Sequence, residues 1–284
     1  MNEKNELGQF IPLHYHFNML LDPNRMEGFK KAIGLMVSEG ATVVELGGGT
    51  GVLSFFAAQK ARKVYYVEFN PELVETATNL LANNANGNRV EIIHGDATTF
   101  TPSEKIDVVI CEMLHVGLLR EKQLEVIDAF KKNYQAAHDG PLPIFIPFAT
   151  MQAVQPVHHP FEFHGYHARV PMFNDPYATA PPELTELAAP MLFHQFMYDQ
   201  AYGLRIEWSG EIPINQNGTV NALRFITKNL LGVEGEAITD WHNQYLIHPL
   251  PADIDVKAGD ILEISFAYDS GAPLSALQPT IRVK

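Results

Sequence analysis

The chain has 284 residues, of which 46% are hydrophobic and 19% are charged, with 20 glycines and 19 prolines. These proportions indicate a globular protein of one large or two ordinary domains and exclude a fibrous or disordered chain. Lys and Arg number 20 against 33 for Asp and Glu, a formal net charge of −13. Such a field repels phosphate backbones, so it argues against nucleic acid as a partner and favours a cationic group.

The single cysteine, Cys111, cannot form an intramolecular disulfide, and the opening residues MNEKNELGQF lack the apolar run of a signal peptide. No stretch approaches the roughly 18 apolar residues of a membrane span. We therefore expect a cytoplasmic protein with no membrane partner.

The first half of the chain alternates β-branched runs with helical patterns, which is typical of a parallel βαβ sheet. This α/β pattern predicts one domain over residues 1–149. The predicted strands are 42–46, 64–68, 90–94, 107–111 and 144–148, and the predicted helices are 53–61, 71–83 and 121–137.

The second half differs in both composition and period. Fifteen of the 19 prolines lie from residue 141 onward, and a two-residue alternation replaces the helical period after about residue 150. Such strands favour an antiparallel barrel or sandwich over residues 150–284, with an irregular arm-like insertion near 156–201. The predicted strands are 204–214, 223–230, 244–250 and 261–268.

A glycine loop follows the first strand and leads directly into a helix, which is the context in which a backbone approaches a nucleotide closely. The dinucleotide pattern G-x-G-x-x-G does not fit, because Val52 occupies the position of its third glycine. The pattern that fits is E-x-G-x-G-x-G, beginning at Glu45, which is typical of S-adenosylmethionine-dependent methyltransferases. We therefore predict S-adenosylmethionine as the cofactor, with Gly47, Gly49 and Gly51 in its binding loop.

Acidic residues also follow the next two strands. Glu68 ends the second strand 23 residues after Glu45, near the roughly 20-residue offset at which an acidic side chain meets a ribose diol. Asp96 and Ala97 follow the third strand, where a carboxylate can accept a hydrogen bond from an adenine amino group. The alternative is that these are ordinary loop acids beside a tight glycine turn.

Two glutamates, Glu112 and Glu121, lie nine residues apart around an apolar loop after the fourth strand. Paired carboxylates beside a cofactor can bind a planar cation such as guanidinium through bidentate hydrogen bonds. Alternatively, Glu112 is a strand-end acid and Glu121 a helix N-terminal residue stabilised by the helix dipole. His115, inside this acidic loop, is a candidate for proton acceptance or substrate contact.

The acidic loop resembles the catalytic loop of the protein arginine methyltransferases, in which two glutamates have this spacing after the same strand. Residues 19–25 resemble that family's M-L-x-D-x-x-R helix, residues 144–147 its strand into the barrel, and residues 239–244 its Thr-His-Trp loop. The resemblance implies a Rossmann-like methyltransferase domain with an N-terminal helix over the cofactor, followed by an antiparallel β-barrel domain. It also implies that Arg25 pairs with the methionine carboxylate, and that a homodimer forms through the arm.

The chain departs from the family pattern near the acceptor. Met113 and Val116 stand where the family has aromatic residues, and Phe10 lies near one position of an otherwise absent tyrosine motif. Asp240 replaces the histidine that pairs with the acid matched by Asp22. Two acids there repel each other unless one is protonated or a cation lies between them.

We therefore expect an S-adenosylmethionine-dependent N-methyltransferase whose acceptor is a cationic nitrogen of a protein or peptide. The departures keep two alternatives open: methylation of a small molecule on the same fold, and a non-catalytic binding or sensing protein. No metal site is predicted, because the clustered histidines lack accompanying Cys, Asp or Glu at ligand spacing. Trp241 either stacks on the acceptor cation or packs within the second domain.

Overall fold

The computed structural model describes residues 11–179 and 183–284, so Phe10 lies outside the described residues. Its helices are α1 (Leu13–Leu21), α2 (Pro23–Met36), α3 (Val52–Ala58), α4 (Pro71–Ala82) and α5 (Gln123–Ala137). In the described part of the chain, no helix has both the length and the apolar character needed to cross a membrane.

A five-stranded parallel sheet forms the first half of the molecule, with the strand order β3-β2-β1-β4-β5. Every residue of β1 is buried, as expected for a central strand covered on both faces. The carboxyl ends of the strands face one edge, and the order reverses beside β1, where such sheets bind ligands. The strands are β1 (Thr42–Leu46), β2 (Lys63–Glu68), β3 (Val90–His94), β4 (Val108–Cys111) and β5 (Ile144–Ile146).

Local sequence signals explain where two of the helices begin. The Asp22 carboxylate accepts a hydrogen bond from the backbone N–H of Arg25 at 3.0 Å, and Pro23 opens α2 with its φ already suited to a helix. Asn70 and Pro71 start α4 in the same way. The α2 cap places Arg25 in the first turn of the helix.

The remaining strands are antiparallel and divide between a seven-stranded sheet, a three-stranded sheet and a two-stranded hairpin. This confirms the α/β fold class with a second, antiparallel part, and the change from parallel to antiparallel pairing falls between Ile146 and Ala149. The division into two domains at residues 149 and 150 stays a prediction. The strands are β6 (Ala149–His158), β7 (Glu162–Phe163), β8 (Tyr166–His167), β9 (Met172–Asn174), β10 (Thr185–Glu186), β11 (Met191–Met197), β12 (Arg205–Pro213), β13 (Gly218–Glu234), β14 (Ala237–His242), β15 (Tyr245–Val256), β16 (Ile261–Asp269) and β17 (Thr280–Val283).

Strand β13 is much longer than the strand predicted over 223–230. It pairs with β6, β14 and β15, so it forms the centre of the seven-stranded sheet. Several of its buried positions are polar, among them Asn221, Thr227 and Asn229, and each is hydrogen-bonded. The residues that extend the strand beyond 223–230 include Gly218, Asn221 and Gly232, which interrupt the apolar alternation, so the sequence pattern indicates only the middle of the strand.

Candidate active site

The glycine loop between β1 and α3 has a backbone that requires glycine. Gly47, Gly49 and Gly51 have φ values of +74°, +55° and +80°, a region that other residues rarely adopt. A Cβ on Gly47 would lie 3.0 Å from Met113 Cε, and one on Gly49 would lie 3.0 Å from His16 Cε1. The loop therefore presents bare backbone, close enough for a ligand to contact it.

A cavity of about 290 Å³ opens at the carboxyl ends of β1, β2 and β4. It brings together most of the site residues that the sequence indicates, including both glutamates of the acidic loop. Four of the predicted site residues, Gly51, Asp22, His115 and Asp240, do not line it. Those that do are Arg25, Glu45, Gly47, Gly49, Glu68, Asp96, Ala97, Glu112 and Glu121.

Glu45 lies under the glycine loop and is 3% exposed. Its Oε2 accepts hydrogen bonds from the Ser54 backbone N–H at 2.8 Å and from the Ser54 hydroxyl. Burial raises the pKa of the Glu45 carboxyl to about 8, although the bonds from Ser54 favour the charged form. These contacts join the end of β1 to the first turn of α3, so Glu45 holds the loop in place.

Glu68 connects the glycine loop to the start of α4. Its Oε2 accepts from the Gly49 N–H at 3.0 Å and its Oε1 from the Asn70 N–H at 2.8 Å. Each carboxylate oxygen has a second lone pair, which remains for a ligand hydroxyl. Asp96 uses only Oδ1 within the described residues, accepting from the N–H and the hydroxyl of Thr98.

Helix α1 covers the cavity and contributes a residue that the sequence interpretation missed. His16 lines the cavity, and its Nε2 is buried without a hydrogen-bond partner among the described residues. Burial, together with the positive charge of Arg25, lowers the pKa of His16, so the neutral ring is favoured. The sequence feature that indicates His16 is its position about one helical turn before Met19, in the helix that resembles the family's M-L-x-D-x-x-R helix.

Arg25 and Glu112 form an almost fully desolvated ion pair, with side chains that are 9% and 10% exposed. Arg25 Nε donates to Glu112 Oε2 at 3.1 Å, and Arg25 Nη2 contacts the same oxygen. Glu121 lines the same cavity. Burial, followed by the nearby Glu112 charge, raises the pKa of the Glu121 carboxyl to about 8.

Gln123, which the sequence interpretation did not single out, closes the base of the acidic loop. It is fully buried, its Nε2 donates to the Cys111 carbonyl at 2.8 Å, and its Oε1 accepts from the Met113 N–H at 2.8 Å. One side-chain amide thus satisfies both backbone groups beside Glu112 and fixes the point where the loop leaves β4.

The antiparallel part of the molecule holds the tip of the same loop. Asn243 Nδ2 donates to the Leu114 carbonyl at 2.9 Å, and the Thr227 hydroxyl accepts from the Gly117 N–H at 2.8 Å. The Tyr268 hydroxyl donates to the Gly117 carbonyl at 2.9 Å. These partners are more than 100 residues from the loop, so no local pattern in the sequence indicates them.

Neither His115 nor Trp241 is among the residues that line the cavity. The His115 Nδ1 lies 3.3 Å from the Val116 carbonyl oxygen, and its ring packs edge-on against Phe173. Burial and the Arg120 charge lower the pKa of His115 to about 4, which makes it a weak base. Trp241 is 6% exposed and packs against Phe29, as the packing alternative expects.

Asp240 is paired with a cation, whereas Asp22 caps a helix. Lys228 Nζ lies 2.8 Å from Asp240 Oδ2, so this carboxylate is paired. Asp22 is occupied as the cap of α2. Lys228 therefore reduces the repulsion that the replacement of histidine by Asp240 would otherwise cause.

The cavity fits an S-adenosylmethionine cofactor in three respects. The positive-φ glycines expose backbone, the buried His16 Nε2 has no hydrogen-bond partner within residues 11–179 and 183–284, and acidic side chains stand at the ends of β2 and β3. Residues 43–135 match the family model described as a methyltransferase domain. Fold, site and match define the class: the chain is an S-adenosylmethionine-dependent methyltransferase.

The chain is similar over its length to an uncharacterised protein of Methanocaldococcus jannaschii, with 26% identity over 93% of this chain and 95% of that protein. It is 35% identical to protein arginine N-methyltransferase 6 of Danio rerio, but over only 39% of this chain and 33% of that enzyme. Its fold is that of a Trypanosoma brucei protein described as a PRMT1 enzyme-prozyme heterotetrameric complex with AdoHcy, with a TM-score of 0.72, 15% identity and coverage of 96% and 98%. The chain is thus a divergent methyltransferase that resembles the protein arginine methyltransferases.

Proposed function

We propose that the enzyme transfers a methyl group to a nitrogen of a guanidinium group. The observation that carries this proposal is the convergence of Glu112 and Glu121 on the cavity of the glycine loop, where the charge of one raises the pKa of the other. Two carboxylates in a desolvated site attract a planar cation that donates two hydrogen bonds to each. A neutral acceptor would bring no positive charge to offset the repulsion between Glu112 and Glu121 that raises the pKa of Glu121.

The Arg25–Glu112 pair supports this role, because Glu112 already binds a guanidinium in this structure. Arg25 is also the residue proposed to pair with the methionine carboxylate of the cofactor. We infer that the cofactor carboxylate competes for Arg25 and so frees hydrogen-bonding capacity on Glu112 for the acceptor. Binding of the cofactor before the acceptor follows from this competition.

The remaining cofactor contacts are distributed over the cavity. Glu68 would bind the ribose hydroxyls, Asp96 the adenine amino group through its Oδ2, and His16 a polar atom through its Nε2. Gly47 and Gly49 let the backbone approach closely. When bound, S-adenosylmethionine supplies an electrophilic methyl group on a sulfonium.

The acidic loop would contribute mainly position and charge. Holding the attacking nitrogen in line with the methyl group turns a bimolecular step into a unimolecular one. Glu112 and Glu121 would draw positive charge onto the nitrogens that do not attack. Glu121, with a carboxyl pKa of about 8, is suited to take the proton released on methylation, whereas His115 lies outside the cavity lining and is too weak a base.

A homodimer in the cytoplasm is the proposed state of the enzyme. Helix α1 exposes Tyr15, Phe17 and Leu21 by 54%, 59% and 63%, and apolar side chains grouped on one short helix favour a covered surface. The buried free thiol of Cys111 is compatible with a reducing compartment. Size-exclusion chromatography with light scattering measures the mass.

The test is transfer of labelled methyl groups from S-adenosylmethionine to guanidino acceptors. A short arginine-containing peptide and free L-arginine are compared with the same peptide carrying lysine in place of arginine. We expect label on at least one guanidino compound and none on the lysine peptide. Label confined to the lysine peptide, or cofactor binding without transfer to any guanidine, would contradict the proposal.

A further inference from the structure

Residues near 156–201, where the family resemblance places a dimerisation arm, pair with the chain's own seven-stranded sheet. Strand β9 pairs with β15, with Phe173 opposite Leu246 and Met172 opposite Ile247, and β10 pairs with the end of β6. The segment from Met172 to Tyr177, which we call the wall segment, therefore stands beside the β14–β15 turn.

The wall segment contacts both elements that flank the acidic site. Phe173 packs edge-on against His115 of the acidic loop, with ring centroids 5.4 Å apart. The Tyr177 hydroxyl accepts a hydrogen bond from the backbone N–H of His242 at 2.9 Å. It thus spans from the acidic loop to the end of β14.

Two acidic side chains, Asp240 and Asp22, act on Tyr177, and Asp240 is paired with Lys228. Lys228 and Asp240 form an ion pair that is 37% and 32% exposed, so its charges remain accessible to a ligand. Asp240 and Asp22 both act on the Tyr177 hydroxyl, whose pKa is raised chiefly by burial and also by these charges. The Tyr177 O–H has no acceptor among the described residues, although its oxygen accepts from His242.

This cluster is linked to the acidic loop through α2 and through the contact of Phe173 with His115. Asp22 caps α2 at Arg25, and Arg25 contacts Glu112. A ligand whose guanidinium is bound by Glu112 and Glu121, and whose other end leaves the cavity on this side, would meet the Lys228–Asp240 pair.

Resting on the proposed function, we propose that the acceptor is a small zwitterionic guanidino compound, a free amino acid rather than a protein side chain. Its carboxylate would meet Lys228 and the O–H of Tyr177, and its ammonium would meet Asp240 and Asp22. A half-exposed ion pair and a zwitterion attract each other when their charges align head to tail. The backbone of a polypeptide acceptor brings only neutral amides to this place.

The experiment compares the steady-state kinetics of four acceptors: L-arginine, agmatine, which lacks the carboxylate, N-acetyl-arginine amide, which lacks both end charges, and an arginine-containing peptide. We expect kcat/KM for L-arginine to exceed that for each of the others by about tenfold or more. An equal or higher value for the amide or the peptide overturns the inference and leaves the proposed function standing. Transfer to none of the four overturns the proposed function itself.

Variants then test the assigned contacts. Lys228→Met and Tyr177→Phe are expected to raise KM for L-arginine about tenfold and to change KM for agmatine less than about twofold. Lys132→Met is the matched control, because Lys132 also pairs with an aspartate at 2.7 Å but lies on α5 and is 73% exposed. Equal effects on both acceptors would show a merely structural role and contradict the inference.

Discussion

Glu112 and Glu121 share a cavity but differ in their electrostatic partners. Glu112 is paired with Arg25, whereas no hydrogen bond or ion pair of the Glu121 carboxylate occurs among the described residues. Burial of an unpaired carboxylate disfavours its charged form, which explains why the pKa of Glu121 rises to about 8. Glu112 and Glu121 can therefore have different roles at neutral pH.

The first prediction concerns the pH dependence of acceptor use. Below pH 8 the Glu121 carboxyl of the free enzyme holds a proton and attracts a cation weakly, so kcat/KM for the acceptor should rise as pH increases through about 8. The charges that act on it are those of Glu112, Arg120 and Arg25. A pH profile of the Glu121→Gln variant should lose this rise, and an unchanged profile would contradict the assignment.

The second prediction concerns His16. Its buried Nε2 has no hydrogen-bond partner in the described part of the chain and can bind a polar atom of the cofactor, so His16→Ala should weaken cofactor binding by about tenfold. Calorimetric titration with S-adenosylhomocysteine measures the effect. His14→Ala is the matched control, since His14 lies on the same helix and is exposed. Equal affinities of the two variants for S-adenosylhomocysteine would contradict the assignment of His16 to the cofactor site.

At the scale of elements, the acidic loop depends on both parts of the molecule. Gln123 on α5 fixes its base, and the β14–β15 turn and β13 fix its tip. A loop held at both ends keeps its carboxylates in position without an induced change. This accounts for how a segment with little regular structure can support in-line transfer.

The third prediction tests the contacts that hold the tip of the acidic loop. Asn243→Leu leaves the Leu114 carbonyl and Asn229 Nδ2 without their partner, which should lower the free energy of unfolding by about 1–3 kcal/mol. Turnover should fall while cofactor affinity stays unchanged, because Asn243 does not line the cavity. Denaturant unfolding and kcat measure the two effects. Gln244→Leu, at the exposed neighbouring position, should change neither.

The elements also show what the sequence could predict. The bounds of β1 and β3 agree with the prediction, and α4 begins at the predicted Pro71, because period and capping are local signals. The full length of β13 and the roles of Gln123 and Asn243 depend on contacts between residues far apart in the chain. Local sequence patterns do not indicate such contacts. The cofactor loop was therefore accessible to sequence reasoning, while the support of the acidic loop was not.

At the scale of the whole molecule, the parallel sheet and the antiparallel sheets have different roles. The parallel sheet supplies the glycine loop and the strand-end acids, and the antiparallel sheets supply the contacts that hold the acidic loop and the wall segment. The formal net charge of −13 gives the enzyme a field that attracts a cationic acceptor. Charge and fold thus agree with the chemistry proposed for the cavity.

The central claim is that Glu112 binds the acceptor and not the methyl donor. It is tested most directly by measuring methyl transfer and S-adenosylmethionine affinity together for the Glu112→Gln variant. The account predicts that transfer to the guanidino acceptor falls by at least about a hundredfold, since a charged hydrogen-bonding partner is lost in a desolvated site. It also predicts that cofactor affinity is retained or increased, because Arg25 is released from its ion pair. Unchanged turnover, or loss of cofactor binding with no specific effect on the acceptor, would contradict it.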